Sequence, residues 1–396
     1  MTNTIFDDDD IPEIQPADAA VSAEGVDELP QPVSKKFAFI GCGAAGGRIV
    51  DEFYRKGYRR VFCANTCSQD FDSLSDGMDL IDLKLGGSGK DPSKSRDCVK
   101  LPSNRVQFIR FFEDILGTDF SYVFVAVGLG GGTGSGMGPE MIKYLKEYIA
   151  SKNINAKVGC ILTLPMPSEG SRVAKNAIYA YADFLALNPT PLIVIDNARV
   201  QKLRKSSFAK LYSDANKDAV NLLHALNTMS AMPALQTFDS SDFSQLLDSG
   251  MITFGRAKVS NWTAGSDIVA KTIMETFQSA TLAEVDVSQA TQGVCIIVAG
   301  KNVLETFSTD ELMGGLDLLR NSSQHKDMLL HPAVYENTEN PDSLTVYVAL
   351  GGLKPSKAVL DQLAQAGNVD MRAEEKQLPS GTVINSRLAE FFGFNT

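Results

Sequence analysis

Two glycine-rich segments carry most of the chemistry that residue type and spacing suggest. The first, Gly41-Cys42-Gly43-Ala44-Ala45-Gly46-Gly47, fits GxGxxG and stands between a short apolar run and a helical pattern. Glycine lets the backbone approach a phosphate, and the free N–H groups and dipole of a helix N-terminus favour the anion. An NAD site of this kind would also need an acid at the end of the second strand to hold the ribose. Asn65 stands there, so an NAD(P)-dependent oxidoreductase rests on the first motif alone. The second segment, Gly128-Leu129-Gly130-Gly131-Gly132-Thr133-Gly134-Ser135-Gly136, has six glycines in nine residues after a fully apolar run. Each glycine costs folding entropy, so this density implies backbone amides wrapped round a polyphosphate, with the Thr133 and Ser135 hydroxyls as further donors. No GxxxxGK[ST] lysine follows, which excludes a P-loop. A third constellation, Phe238-Asp239-Ser240-Ser241-Asp242-Phe243, reads from its residue types as a helix cap or a solvated turn.

Alternating elements position these segments. Apolar runs at 37–40, 61–65, 122–127, 157–164 and 191–196 read as strands, the third closed by Gly128. Helical patterns lie between them at 49–54, 104–116, 138–152 and 171–187. Strands alternating with helices over 160 residues predict an α/β fold with a doubly wound, mostly parallel sheet. A long central helix follows, with Ser213 as its expected N-cap and its end before Pro233. Beyond it, strands at 251–254, 294–299 and 344–350 with helices near 267–277 and 308–319 predict a smaller α+β domain. A further helix is expected at 357–366, and 388–394 is an apolar end. The expected organisation is an acidic tail at 1–35, a nucleotide domain at 36–212, the helix at 213–232, a second domain at 233–353 and an extension at 354–396.

The formal net charge is -11, but residues 1–34 contain nine acids and no Lys or Arg, which leaves -2 for the other 362 residues. That tail is expected to be disordered, with a solubilising role or a role as an arm for a basic partner. No basic stripe supports nucleic-acid binding. No apolar run approaches the ~18–20 residues of a transmembrane segment, and the first residues lack the pattern of a secretory signal. Six scattered cysteines without a CxxC pair read as reduced thiols in a cytoplasm, and three separated histidines give no metal cluster.

The segment GGGTGSG at 130–136 resembles the signature of the tubulin/FtsZ GTPases, and the resemblance extends from about Lys36 to Leu353. Gly41–Gly47 resembles the family's first phosphate loop, Asn65-Thr66 its NT motif, and Gly87–Pro92 its GxGxxP loop. Pro165–Gly170 resembles PFxxEG, whose glutamate, here Glu169, meets the ribose. The strand at 192–197 resembles the one whose asparagine, here Asn197, reads the guanine edge. Residues 282–293 resemble the stretch that opens the FtsZ C-terminal strands, so the second domain is closer to FtsZ than to eukaryotic tubulin.

Further roles follow only from this resemblance. Tyr212-Ser-Asp-Ala-Asn216 is similar to a segment whose aromatic stacks on the base and whose asparagine contacts it, with Asp214 a competing candidate. On residue types alone, Tyr212 is a core aromatic and Asn216 a polar helix residue. The 237–242 segment resembles the NxDxxD loop that enters the next subunit's pocket, which implies that Asp239 and Asp242 orient or polarise the attacking water. GTP/GDP and Mg²⁺ are the implied ligands, with a head-to-tail homopolymer and a tail-binding adaptor as partners. Division and genome positioning are the implied uses. Three departures stand out: Arg48 replaces an asparagine, Val173 replaces the arginine (Arg172 lies one residue earlier), and Thr237 replaces the catalytic-loop asparagine. They motivate the alternative of a hydrolysis-impaired structural or regulatory subunit.

Overall fold

The computed structural model describes residues 32–204, 208–259, 268–279, 282–306 and 308–369. The acidic segment up to residue 31 and the apolar end at 388–394 lie outside them. The described residues form two compact units, Lys35–Ala198 with 355–369, and Arg199–Lys354 with 32–34.

The first unit runs β1 (Phe37–Cys42), α1 (Gly43–Arg55), β2 (Val61–Asn65), β3 (Asp79–Asp82), α2 (Pro92–Lys100), α3 (Pro102–Phe111), β4 (Tyr122–Gly128), α4 (Gly132–Ser151), β5 (Lys157–Leu164), α5 (Ser171–Leu187) and β6 (Leu192–Asp196). Its strands are parallel in the order β6-β5-β4-β1-β2-β3. The β4 residues Val123–Val127 are all fully buried, as a strand covered on both faces requires. Aromatics fix α1 to this sheet: Phe39 stacks on Phe53 with ring centroids 3.7 Å apart and on Phe124 at 5.3 Å. The order reverses between β1 and β4, so the crevice beyond their carboxyl ends is the topological switch point. The two glycine segments leave these two strands.

Both helices begin earlier than expected. α1 starts at Gly43 and α4 at Gly132, so the glycine loops are the first turns of the helices. Glycine disfavours helix, and packing overrides that preference. An added Cβ would lie 2.0 Å from Pro92 O at Gly136 and 2.6 Å from Phe184 Cζ at Gly138, so these glycines admit α2 and α5. β3 and α2 were not expected either, because Gly- and Asp-rich sequence surrounds them; Asp91 caps α2 by accepting from Ser93 N.

The second unit follows α6 (Asn197–Arg204). It comprises α7 (Phe208–Met229), α8 (Ser240–Asp248), β7 (Met251–Val259), α9 (Ile268–Ser279), β8 (Val285–Asp286), β9 (Gln292–Gly300), α10 (Lys301–Leu304), α11 (Thr309–Asn321), β10 (Leu329–Asn337) and β11 (Leu344–Pro355). β10 and β9 are parallel, β11 is antiparallel to both β9 and β7, and β8 joins β11. The long helix begins at Phe208, so Ser213 lies inside it rather than at its cap; its hydroxyl donates to Lys210 O. β10 was missed because His331 and Pro332 interrupt its apolar pattern. α12 (Lys357–Gly367) belongs to the first unit and packs on α5. Among the described residues no helix is long and apolar enough to cross a membrane.

Candidate functional site

At the switch point, two helix N-termini lie side by side. Neither α1 nor α4 has a side-chain cap: Cys42 and Gly131 hold the N-cap positions without bonding back to the helix. The orphan amides of both first turns are therefore available to an external anion. Their proximity is direct, since a Cβ on Gly43 (φ +73°) would sit 3.0 Å from Gly134 N.

The glycines divide by what they face. At Gly46 an added Cβ would lie 2.1 Å from Ala126 O, so internal packing demands glycine there. At Gly131, which is exposed, the nearest atom would be Gly128 O at 3.9 Å. Nothing in the fold forbids a side chain at Gly131. A ligand lying against its backbone would.

Hydroxyls line the same crevice. Thr133 Oγ1 is 2.7 Å from Thr66 Oγ1 and 3.2 Å from Ser88 Oγ, joining the segments after β4, β2 and β3. Asn65, buried, accepts from Thr66 N at 2.7 Å and donates to Asp70 at 2.8 Å, so it shapes the turn that carries Thr66. Ser135 is fully buried and its hydroxyl accepts from Gly130 N at 3.1 Å. That bond braces the Ser135 side chain against the loop's own backbone and leaves the hydroxyl proton uncommitted to it. Asn176 donates to Gly130 O at 3.2 Å and bridges to Lys90 O at 3.0 Å, tying the loop to α5. Thr66 and Ser88 lie within motifs quoted above for the resemblance; Asn176 had no sequence signal.

The remaining expected residues of this unit surround that centre. Ala44 and Ala45 are half-buried in the first turn of α1, and Ala45 packs under Gly128. Arg48 is exposed one turn further on. One oxygen of exposed Glu169 accepts from Met166 N at 2.8 Å, which shapes its own turn. Arg172 is exposed and adds to the effects that hold the Asp91 carboxyl below its usual range, chiefly the hydrogen bonds from Ser93. Val173 is buried and reaches Gly130, where a Cβ would meet its Cγ1 at 2.5 Å. Asn197 is buried at the end of β6. Burial raises the Cys42 thiol well above the usual range and pushes Cys63 up to about 12, so both are neutral packing groups.

The second unit holds the other expected residues. On α7, Asn216 and Asp214 are buried and Tyr212 is half-buried. Asp239 is the N-cap of α8, accepting from Ser241 N at 2.7 Å and Asp242 N at 3.0 Å, and Asp242 accepts from Asp239 N at 3.2 Å. The two acids thus form a capping box, with Phe238 and Phe243 buried behind them. His331 joins them from β10, its Nδ1 3.0 Å from Asp242 Oδ1. No spacing rule connects a lone histidine to a carboxylate 89 residues earlier.

Among the described residues, no group of three His, Cys, Asp or Glu side chains is placed to hold a metal ion. The donor set of the crevice is amides and neutral hydroxyls. That set fits a hard cation arriving on a phosphate, with hydroxyl and water oxygens as its other ligands.

Comparison with known proteins bears on the fold. Residues 109–205 match the description "Tubulin/FtsZ family, GTPase domain". Cell division protein FtsZ 1 of Pyrococcus furiosus is 23% identical over 299 residues, covering 74% of this chain and 75% of that protein. The mitochondrial division protein fszB of Dictyostelium discoideum is 28% identical over 291 residues, covering 69% and 72%. Among solved structures, a GTPγS-bound protofilament of CetZ2 from Haloferax volcanii superposes with a TM-score of 0.68 at 20% identity, covering 84% of this chain and 98% of that one. GDP-form protofilaments of TubZ from Bacillus thuringiensis serovar israelensis give 0.71 at 17% identity, covering 85% and 92%.

Proposed function

Because the chain is a divergent member of the tubulin/FtsZ family, we propose that it binds GTP at the glycine-lined crevice, assembles head to tail into filaments and hydrolyses GTP between subunits. The observation that carries this reading is the pair of uncapped helix N-termini at the switch point, with open space above Gly131. Relatives solved as GTPγS- and GDP-form protofilaments support the ligand and the assembly.

On this reading the amides of Gly43 and of the first turn of α4 take the polyphosphate, and Thr133 holds a phosphate oxygen within the Thr66–Ser88 hydroxyl chain. Glu169 faces the ribose and Asn197 the base edge. Mg²⁺ bound with the nucleotide supplies further neutralisation of the phosphate charge. Asp239 and Asp242, presented by another subunit, orient a water whose oxygen attacks the γ-phosphorus as the bond to the β-bridging oxygen breaks. The water's proton leaves toward a carboxylate, and GDP and phosphate result. Such a transfer needs positioning and charge stabilisation more than covalent chemistry.

Two observations favour a second reading, a polymer subunit impaired in hydrolysis. Asp239 and Asp242 are already engaged in capping α8, and Val173 is packed on Gly130 where the resemblance expects an arginine. The experiment is GTP turnover against protein concentration with light scattering in the same cuvette. Specific activity and scattering that rise together above a threshold are expected for an active site completed between subunits. Scattering without turnover selects the impaired scaffold. Absence of GTP binding in equilibrium dialysis overturns both.

A further inference from the structure

We propose that His331 is a positioning residue for Asp242, holding its carboxylate in the orientation that hydrolysis requires. The inference rests on the hydrolysis reading above.

A carboxylate only accepts hydrogen bonds, so the 3.0 Å contact between His331 Nδ1 and Asp242 Oδ1 is favourable when Nδ1 carries the proton and donates it. The other oxygen, Oδ2, accepts from Asp239 N at 3.2 Å. Asp242 is therefore gripped from two sides, by the backbone of its own helix start and by a side chain of a separate strand. Rotation of the carboxylate would lose both bonds.

His331 is itself held firmly. Residues 331, 333 and 335 alternate onto one face of β10. Ala333 is fully buried, and buried Tyr335 donates from its hydroxyl to Met229 O at 2.7 Å. The strand that carries His331 is thus anchored to α7.

The histidine contact exceeds what the cap needs. The capping box at the start of α11 is complete with its own residues: Glu311 accepts from Ser308 N at 2.8 Å, and Ser308 Oγ accepts from Glu311 N at 3.2 Å. Among the described residues, no side chain from another element bonds the Glu311 carboxylate. At Asp242 the extra bond comes at a cost, because His331 Nε2 is buried and has no partner among the described residues. An apolar side chain would fill that space without leaving a nitrogen unpaired. The specific benefit of histidine is the donor it aims at Asp242.

The test uses the full chain and four proteins: wild type, His331→Phe, His331→Asn and Asp242→Ala. Phenylalanine fills the ring's space without a donor, and asparagine keeps an N–H near the position of Nδ1. GTP turnover per assembled subunit, GTP affinity and thermal midpoint are measured for each. His331→Phe is expected to lower kcat about tenfold or more with GTP affinity and thermal midpoint unchanged, as loss of a supporting shell does. His331→Asn is expected to restore most of the turnover. Wild-type turnover in His331→Phe, with Asp242→Ala inactive, overturns the role of His331 and leaves the hydrolysis reading standing. Thermal midpoints that fall in step with kcat in both histidine variants overturn it in favour of packing. Turnover that survives Asp242→Ala, or is absent from the wild type, overturns both readings. If His331→Phe does not fold, the ¹⁵N shifts of the wild-type ring decide: a protonated Nδ1 with bare Nε2 supports the assignment, and the opposite tautomer overturns it.

Discussion

The glycine crevice and the acidic cluster are built by opposite means. The crevice presents main-chain amides, so its design is written as missing side chains in two short, contiguous segments. The cluster presents side chains, and it draws them from α8 and β10, 89 residues apart. Backbone sites tolerate no Cβ in places, while side-chain sites tolerate no loss of a donor or acceptor. Substitutions should therefore fail differently in the two regions, and that difference can be measured.

The largest effect is expected at Gly46. Alanine there would press its Cβ to 2.1 Å from Ala126 O, a backbone atom that cannot move aside. Gly46→Ala should cost about 3 kcal/mol or more in chemical denaturation. A variant of normal stability would show that the loop does not pack as described. Next comes Asp239→Asn. Asparagine caps a helix as well as aspartate does, so stability should be unchanged while turnover falls about 100-fold through loss of the charge. Parallel loss of both would reduce Asp239 to a cap.

Gly131→Ala sharpens the contrast with Gly46. It meets open space, so the thermal midpoint should hold while GTP affinity, read by isothermal titration calorimetry, falls about tenfold. Unchanged affinity would place the phosphates elsewhere. Thr133→Val should weaken binding by about 1 kcal/mol, the value of one hydroxyl link, again with little change in fold.

The smallest effect is common to both regions. Burial pushes Cys63 in the first unit and Cys295 in the second up to about 12. In the unfolded chain these thiols ionise near their usual value of 9.0, and in the folded protein they stay neutral. The unfolded state therefore binds fewer protons above that value. Stability is full below pH 9 and declines as pH rises toward 12, by about 1 kcal/mol per thiol at pH 9.5. Urea unfolding at pH 8.0 and 9.5 checks the sign; a rise in stability would contradict the burial of these thiols.

Legibility in the sequence followed the same division. Strands β1, β2, β4, β5 and β6 were readable because parallel strands covered on both faces are continuous apolar runs. The starts of α1 and α4 were not, because glycine argues locally against helix and only the packing of Gly136 on Pro92 and of Gly138 on Phe184 reverses that argument. The six glycines in 128–136 read as a phosphate loop, and the fold gives most of them a different reason. Packing on neighbouring elements demands most of them, and Gly131 alone is left for a ligand. Ser135 illustrates the limit: residue type offers a hydroxyl in a glycine loop, and only the fold shows that it is buried and braces Gly130 N.

By itself the sequence determined which strands form the central sheet and pointed to the two glycine segments as candidate phosphate loops, since both readings depend on residue types that act locally and in contiguous runs. Only the tertiary structure decided which helix ends meet at the switch point, that Asp239 and Asp242 cap α8, and that His331 stands against Asp242. Those facts depend on side chains brought together from distant segments, and no local pattern encodes such a meeting.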